Sequence, residues 1–269
     1  MKILFIGDII GEPGRQILRR RLNQLKADVS PHITIANVEN AAGGFGLTVN
    51  IAEDIFSYGI DVFTSGNHIW DKKQIKEYLN TNTRVLRPAN YPEGVPGVGW
   101  GIFQIPNTCI KIGIVNLEGR VYMNHLRDPF TLGKSILLQI HRETSLAFID
   151  FHAEVTSEKR ALGWYLDGLA TALIGTHTHV QTADEEILPK GTAYLTDVGM
   201  TGGKNSVIGV KKEDALHRFL YQTPARFTPA PGNLWINAVL IEADESTGKA
   251  CAIQRIQYPD TQTNTRSIS

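Results

Sequence analysis

Leu169-Ala170-Thr171-Ala172-Leu173-Ile174 runs directly into Gly175-Thr176-His177-Thr178-His179. The apolar hexapeptide reads as a buried strand. Two histidines two residues apart, just past its end, cannot both enter the core cheaply, because each imidazole would need a buried hydrogen-bond partner. A strand's carboxyl end is the usual ligand crevice of an open α/β sheet, and there both rings can turn a nitrogen toward a metal ion. The pair decides little by itself. It gains weight because other strand-like runs end in the same way.

The run Lys2–Ile6 ends in Gly7-Asp8, 33–38 in Glu39-Asn40, 60–64 in Ser65-Gly66-Asn67-His68, and 145–151 in His152. Helical stripes separate the early runs. Ile17, Leu18, Leu22 and Leu25 follow Pro13, residues 50–58 form a second stripe, and a third helix runs through Tyr78 with Asp71 as its candidate N-cap. This alternation over the first 80 residues predicts an α/β fold with a parallel, doubly wound sheet. Further on, 99–105 and 109–115 read as adjacent strands, and 130–140 and 157–165 as helices. The segments 235–242 and 250–258 alternate like antiparallel strands, and 199–203 reads as a glycine-rich loop. The expectation is one domain over residues 1–259, with a second, more antiparallel sheet built from the later strands. The polar tail 260–269 is expected to be disordered.

The 269 residues carry 27 Lys and Arg against 27 Asp and Glu, so nothing suggests a broad basic face for nucleic acid. The first apolar run is short and broken by Asp8, unlike a signal segment. No run approaches the ~20 apolar residues of a membrane helix. Cys109 and Cys251 form no C-x-x-C pair and are expected in the core of a cytoplasmic protein. Trp100, Trp164 and Trp235 are also expected in the core, although an interface between copies in a homo-oligomer remains an alternative. His32, His141 and His217 lack motif context and are expected at the surface. His125 lies in the long connection 117–129. The loop Gly43-Gly44-Phe45-Gly46 carries no Walker lysine, which argues against a P-loop, although its glycines could let backbone approach the site.

The strand ends thus collect Asp8, Glu39, Asn40, Asn67, His68, His152, His177 and His179. In a doubly wound fold they share one edge. An oxygen and nitrogen donor set without thiolate suits iron, manganese or zinc better than copper(I) or an iron–sulfur cluster. It is too large for one tetrahedral ion, and a carboxylate bridging two ions resolves the count.

The order Gly7-Asp8, Glu39, Gly66-Asn67-His68, His152 and Gly175-Thr176-His177-Thr178-His179 resembles the calcineurin-like metallophosphoesterases. That superfamily usually has a histidine two residues after the first aspartate, where this chain has Ile10. Its usual bridging residue is aspartate, where this chain has Glu39 followed by Asn40. Gly7-Asp8-Ile9-Ile10-Gly11, Asn37-Val38-Glu39-Asn40-Ala41-Ala42-Gly43-Gly44 and Ser65-Gly66-Asn67-His68-Ile69-Trp70-Asp71 are similar to the bacterial YmdB-like branch.

The resemblance covers nearly the whole chain. It implies a four-layer αββα sandwich of mixed sheets flanked by helices, and two metal ions, iron foremost and otherwise manganese or zinc. It implies that Asp8, Glu39, Asn40 and His179 hold one ion and that Glu39, Asn67, His152 and His177 hold the other. The implied reaction is hydrolysis of a 2′,3′-cyclic nucleotide to the 3′-phosphonucleotide by a hydroxide bridging the ions, with His68 as proton donor. Alternatives are a phosphomonoesterase or phosphoprotein phosphatase on the same site, or a regulatory nucleotide-binding protein with little turnover.

Overall fold

The first strand, β1 (Lys2–Ile6), is buried on both faces, and its alternation fixes the layering. Leu4 and Ile6 pack on one side with helix residues, while Ile3 and Phe5 face a second sheet. This is a computed structural model that describes residues 1–260. The predicted tail therefore lies outside the described residues, except for Asp260.

The elements continue with β2 (Asp8–Ile9), α1 (Gly11–Val29), β3 (Ile33–Asn37), α2 (Val49–Ser57), β4 (Val62–Thr64), a 3-10 turn at Asn67–Trp70 and α3 (Ile75–Thr81). Next come β5 (Trp100–Gln104), β6 (Lys111–Glu118), α4 (Pro129–Ile140), β7 (Ala147–His152), α5 (Thr156–Tyr165) and β8 (Ala172–Thr176). The chain closes with β9 (Glu186–Ile187), β10 (Ala193–Leu195), β11 (Met200–Gly203), α6 (Lys212–Tyr221), β12 (Leu234–Ala243) and β13 (Ala250–Pro259).

Two mixed sheets result. The first runs β2-β11-β12-β1-β3-β4, with β13 added on β12, and the second runs β5-β6-β7-β8-β10-β9. β1, β3 and β4 are parallel, as are β6, β7, β8 and β10. Helices α1 to α3 cover the outer face of the first sheet through Leu18, Leu22, Ile55 and Leu79. Helices α4 and α5 cover the second through Leu137, Ile140 and Leu162. The inner faces meet each other, with Phe5 and Phe148 rings 4.9 Å apart. The layers are therefore αββα, as the resemblance implied.

Several expectations need correction. The second sheet is parallel at its centre, and the antiparallel pair β12–β13 extends the first sheet instead. The reason is that β12 is apolar on both faces, so it can lie inside a sheet beside β1. Residues 200–203 are strand rather than loop, because Gly7 lets β11 come close. A Cβ at Gly7 would overlap the Gly199 carbonyl. Asp71 caps no helix, since α3 begins beyond Gln74 and the Asp71 carboxylate pairs with His68. Cys109 and Cys251 are free and exposed, one in the β5–β6 turn and one on edge strand β13. Trp164 is exposed and Trp100 and Trp235 are partly so, so none of the three fills the core. His32, His141, His217 and His125 are exposed. Among the described residues, no helix is long and apolar enough to cross a membrane.

Candidate metal centre

The carboxyl ends of both sets of parallel strands open on the same crevice, so residues far apart in sequence meet there. His152, the last residue of β7, is the hub. Its Nε2 lies 3.1 Å from Glu39 Oε1, 3.0 Å from His177 Nδ1 and 3.2 Å from Asn67 Oδ1. Its Nδ1 lies 4.0 Å from Asp8 Oδ1. Asn40 Nδ2 lies 3.0 Å from Glu39 Oε1 and 3.1 Å from His179 Nε2. As oriented, Asn40 turns its nitrogen to these partners, and as a ligand it would rotate its amide to present Oδ1. His68 joins the group through its backbone, whose N–H donates to Glu39 Oε2 at 3.2 Å. Its ring Nδ1 is held by Asp71 Oδ2 at 2.9 Å. The structure thus brings together all eight residues expected at the strand ends, with the ring of His68 held by Asp71.

Two overlapping sets could each hold a cation: Glu39, His152 and His177, and Asp8, Glu39 and His179. Within each set the donor atoms lie within 4.8 Å of one another. Three local observations fit a cation. Donors at metal–ligand lengths of ~2.0–2.2 Å stand about 3 Å from each other, as the Nε2 neighbours of His152 do. Asp8 Oδ1 is buried with no hydrogen-bond partner, an arrangement that is costly unless a cation meets it. Gly66 borders the cradle so closely that a Cβ there would overlap the His152 ring and the Glu39 carboxylate.

Each histidine is also turned the right way. His179 Nδ1 meets the Ile208 carbonyl at 2.8 Å, and a carbonyl can only accept, so Nε2 keeps its lone pair for the crevice. His177 Nε2 meets Glu154 Oε2 at 2.9 Å, which leaves Nδ1 for the crevice. The Thr176 hydroxyl donates to Asp150 Oδ1 at 2.7 Å and so accepts from His152 Nδ1 at 2.9 Å, which leaves Nε2. Partners of this kind orient metal-binding imidazoles.

The electrostatics follow from burying these charges together. Burial, reinforced by Glu39, Asp197 and Asp150 and opposed by His152, raises the Asp8 pKa well above the usual carboxylate range. Burial also pushes Glu39 up, but His152, His68 and His177 pull it down to about 2. Burial disfavours charge on His152, yet Glu39, Asp8 and Asp150 outweigh it and hold its pKa at about 9. Burial and the neighbouring His152 push His177 down to about 3. Burial also lowers His179. Without a cation, a proton on His152 balances the carboxylates.

Sequence reasoning missed the layer behind these residues. Asn37 Nδ2 donates to Asp150 Oδ2 at 2.9 Å, and Asn37 Oδ1 accepts from the Glu39 backbone at 3.1 Å. Buried Lys159 donates to Asp197 Oδ2 and to the Thr176 carbonyl, both at 2.7 Å. Asp197 Oδ2 also accepts from the Thr178 N–H at 3.0 Å. This pair props a turn in which His177 and His179 take φ of 97° and 65°. A polar residue inside a buried run, such as Asp150 in Ala-Phe-Ile-Asp-Phe-His, was the available signal.

The YmdB-like protein family model matches residues 4–256. A Bacillus subtilis (strain 168) protein named 2′,3′-cyclic-nucleotide 2′-phosphodiesterase is 47% identical over 260 residues, covering 97% of this chain and 98% of that protein. A crystal structure described as a novel phosphatase from Mycoplasma pneumoniae matches with a TM-score of 0.89 at 34% identity, covering 96% of this chain and 93% of that one. The 5′-nucleotidase of Candida albicans SC5314 shares the calcineurin-like fold, with a TM-score of 0.54, 14% identity, and coverage of 95% of this chain and 50% of that one. With that match spanning nearly its whole length and the metallophosphoesterase architecture around its crevice, the chain belongs to the YmdB-like family.

Proposed function

We propose that this chain is a dinuclear metal-dependent phosphodiesterase that opens 2′,3′-cyclic nucleotides at the 2′ oxygen, leaving the 3′-phosphonucleotide. The observation that supports the reading is Glu39, which stands in both candidate ligand sets and so could serve two ions at once. Asp8, Asn40 and His179 complete one site, and Asn67, His152 and His177 the other. The substrate class is supported by the name of the Bacillus subtilis relative. Iron is the first choice of metal, and manganese or zinc suits the same donors. When bound, two such ions lower the pKa of water and neutralise phosphate oxygens.

The chain's own residues supply the rest. Asp8 and Glu39, both buried, offset cation charge in the crevice. His177 and His179, kept neutral by burial, offer lone pairs instead of competing positive charge. Asp71 holds Nδ1 of His68, so a protonated His68 has Nε2 to give a proton to the departing 2′ oxygen. Residues 1–259 act as one catalytic unit. Exposed free thiols at Cys109 and Cys251 favour a reducing, cytoplasmic setting.

The test is elemental analysis of protein purified without chelator, paired with turnover of 2′,3′-cyclic AMP. About two ions per chain, release of the 3′ isomer, and inactivity on phosphoserine peptides are expected. Absence of metal, with no activity restored by iron or manganese, would refute the enzyme reading and favour a nucleotide-binding regulator.

A further inference from the structure

Beside His179, the edge of the first sheet holds a cavity of about 270 Å³. β12 runs antiparallel to β1, so its first residues lie at the carboxyl end of β1, next to Asp8. There Trp235 and Asn237 fall on the opposite face from Ile236 and Ala238, which pack with the helices. Both line the cavity, together with Gln257, the register partner of Asn237 on β13. Met200, the register partner of Asp8, completes the wall toward the crevice. His179 belongs both to this wall and to the Asp8–Glu39–His179 ligand set. A phosphate held at that set therefore has the mouth of the cavity beside it.

The lining mixes apolar side chains with the side-chain amides of Gln181, Asn237 and Gln257. The Trp235 indole is fixed by its Nε1 donating to Asn233 Oδ1 at 3.0 Å, and Lys204 Nζ sits 3.5 Å from its ring centroid. Met200 and Ile208 add apolar surface. The side-chain amides of Asn237 and Gln257 make no hydrogen bond among the described residues. Gln181 spends its Nε2 on the carbonyls of Val198, Ala238 and Ile256, at 3.2, 3.2 and 3.3 Å. Its buried Oε1 is left without a partner. Free donors and acceptors beside an apolar wall match a flat heterocycle with a polar edge. The volume lies just below the ~300 Å³ floor of drug-sized pockets, so it suits a single ring system. The one lysine is already placed over Trp235, which disfavours a second phosphate.

We propose that this cavity is the nucleoside subsite. It receives the base of the cyclic nucleotide, with Asn237 and Gln257 reading its edge and Trp235 and Met200 forming the apolar wall. The substrate class rests on the function proposed above, whereas the preference for a nucleobase rests on the cavity alone.

Two measurements on the full chain loaded with Mn²⁺ test this. The first is the ratio of kcat/KM for 2′,3′-cyclic AMP over base-free ribose 2′,3′-cyclic phosphate. It should favour the nucleotide, and the preference should fall about tenfold in Gln257→Ala, the loss expected for one or two hydrogen bonds. The second is quenching of tryptophan fluorescence by adenosine 3′-monophosphate, which Trp235→Phe should abolish. A ratio near one in the unaltered chain, or the same ratio in Gln257→Ala and Trp235→Ala, would overturn the subsite. So would binding with a quench that survives Trp235→Phe. If neither cyclic compound is turned over but the Trp235-dependent quench is present, the subsite stands and the proposed reaction fails.

Discussion

Replacing Asp150 with asparagine should cripple metal binding although Asp150 is not itself an expected ligand. Asp150 accepts at both oxygens, from Thr176 Oγ1 at 2.7 Å and from Asn37 Nδ2 at 2.9 Å. Burial raises its pKa to about 6, so at pH 7 the carboxylate form predominates. An amide has only one accepting atom. If the new NH₂ faces Asn37, two donors collide. If it faces Thr176, the hydroxyl must accept there and donate to His152 Nδ1. That moves the imidazole proton to Nε2, the atom that meets Glu39, Asn67 and His177. Loss of one hydrogen bond to a charged group costs ~1.5–3 kcal/mol. The matching loss in metal affinity is roughly 10–100-fold. The assay is calorimetric titration of Mn²⁺ into chelator-stripped protein, beside a melting curve to show that the fold survives. Thr176→Val should give a loss of the same order. Unaltered affinity in Asp150→Asn would refute the claim that this relay sets the His152 tautomer.

Four further outcomes follow from the same geometry. Gly66→Ala should drop metal content below one ion per chain with far-UV circular dichroism unaltered, because the added Cβ occupies the cradle between His152 and Glu39; a fully loaded variant would contradict the placement. Metal affinity should rise about tenfold per pH unit from pH 6 to about 9 and then level off, since the cation must displace a proton from His152, whose pKa is about 9. In the metal-free chain the same raised pKa stabilises fully below the unfolded value of 6.5 and is lost as pH rises through about 9, whereas the Glu39 contribution is present above 4.5 and lost as pH falls through about 2. Competition with a chelator and melting curves across this range check both signs. Lys159→Met should cost ~3–5 kcal/mol, or about 10 °C in Tm, because Asp197 is left charged and buried, and a much smaller shift would mean that the pair is already solvated.

Much of the centre was legible because its residues sit where local patterns end. Asp8, Glu39, Asn67, His152 and His177 each close an apolar run, and a polar ligand-type residue at such a boundary is visible in one dimension. The support behind them was not. Asp150 and Asn37 stand inside runs, and their meaning depends on which strand lies opposite, a pairing across 113 residues that no local spacing encodes. Asp71 shows the same limit. Its position suited a helix cap, but the 3-10 turn at Asn67–Trp70 brought the His68 ring within reach, and the Asp71 carboxylate pairs with that ring instead. Cys109 and Cys251 looked like core residues because their neighbours alternate, but the turn and the edge strand that carry them lack a covering layer.

The sequence by itself determined which segments are buried on two faces, that strands and helices alternate early in the chain, and which ligand-type side chains follow its apolar runs. These are consequences of periodicity and of the cost of burying polar groups. Only the tertiary structure decided that β12 and β13 join the first sheet, that the two sheets bring Glu39 against His152, and that a cavity opens between His179 and Trp235. The reason is that β12 could satisfy its backbone beside any open strand. The choice of β1 is made by the summed packing of Val239 and Ile241 between the sheets and of Ala238 and Leu240 beneath the helices. That sum exists only once every layer is in place.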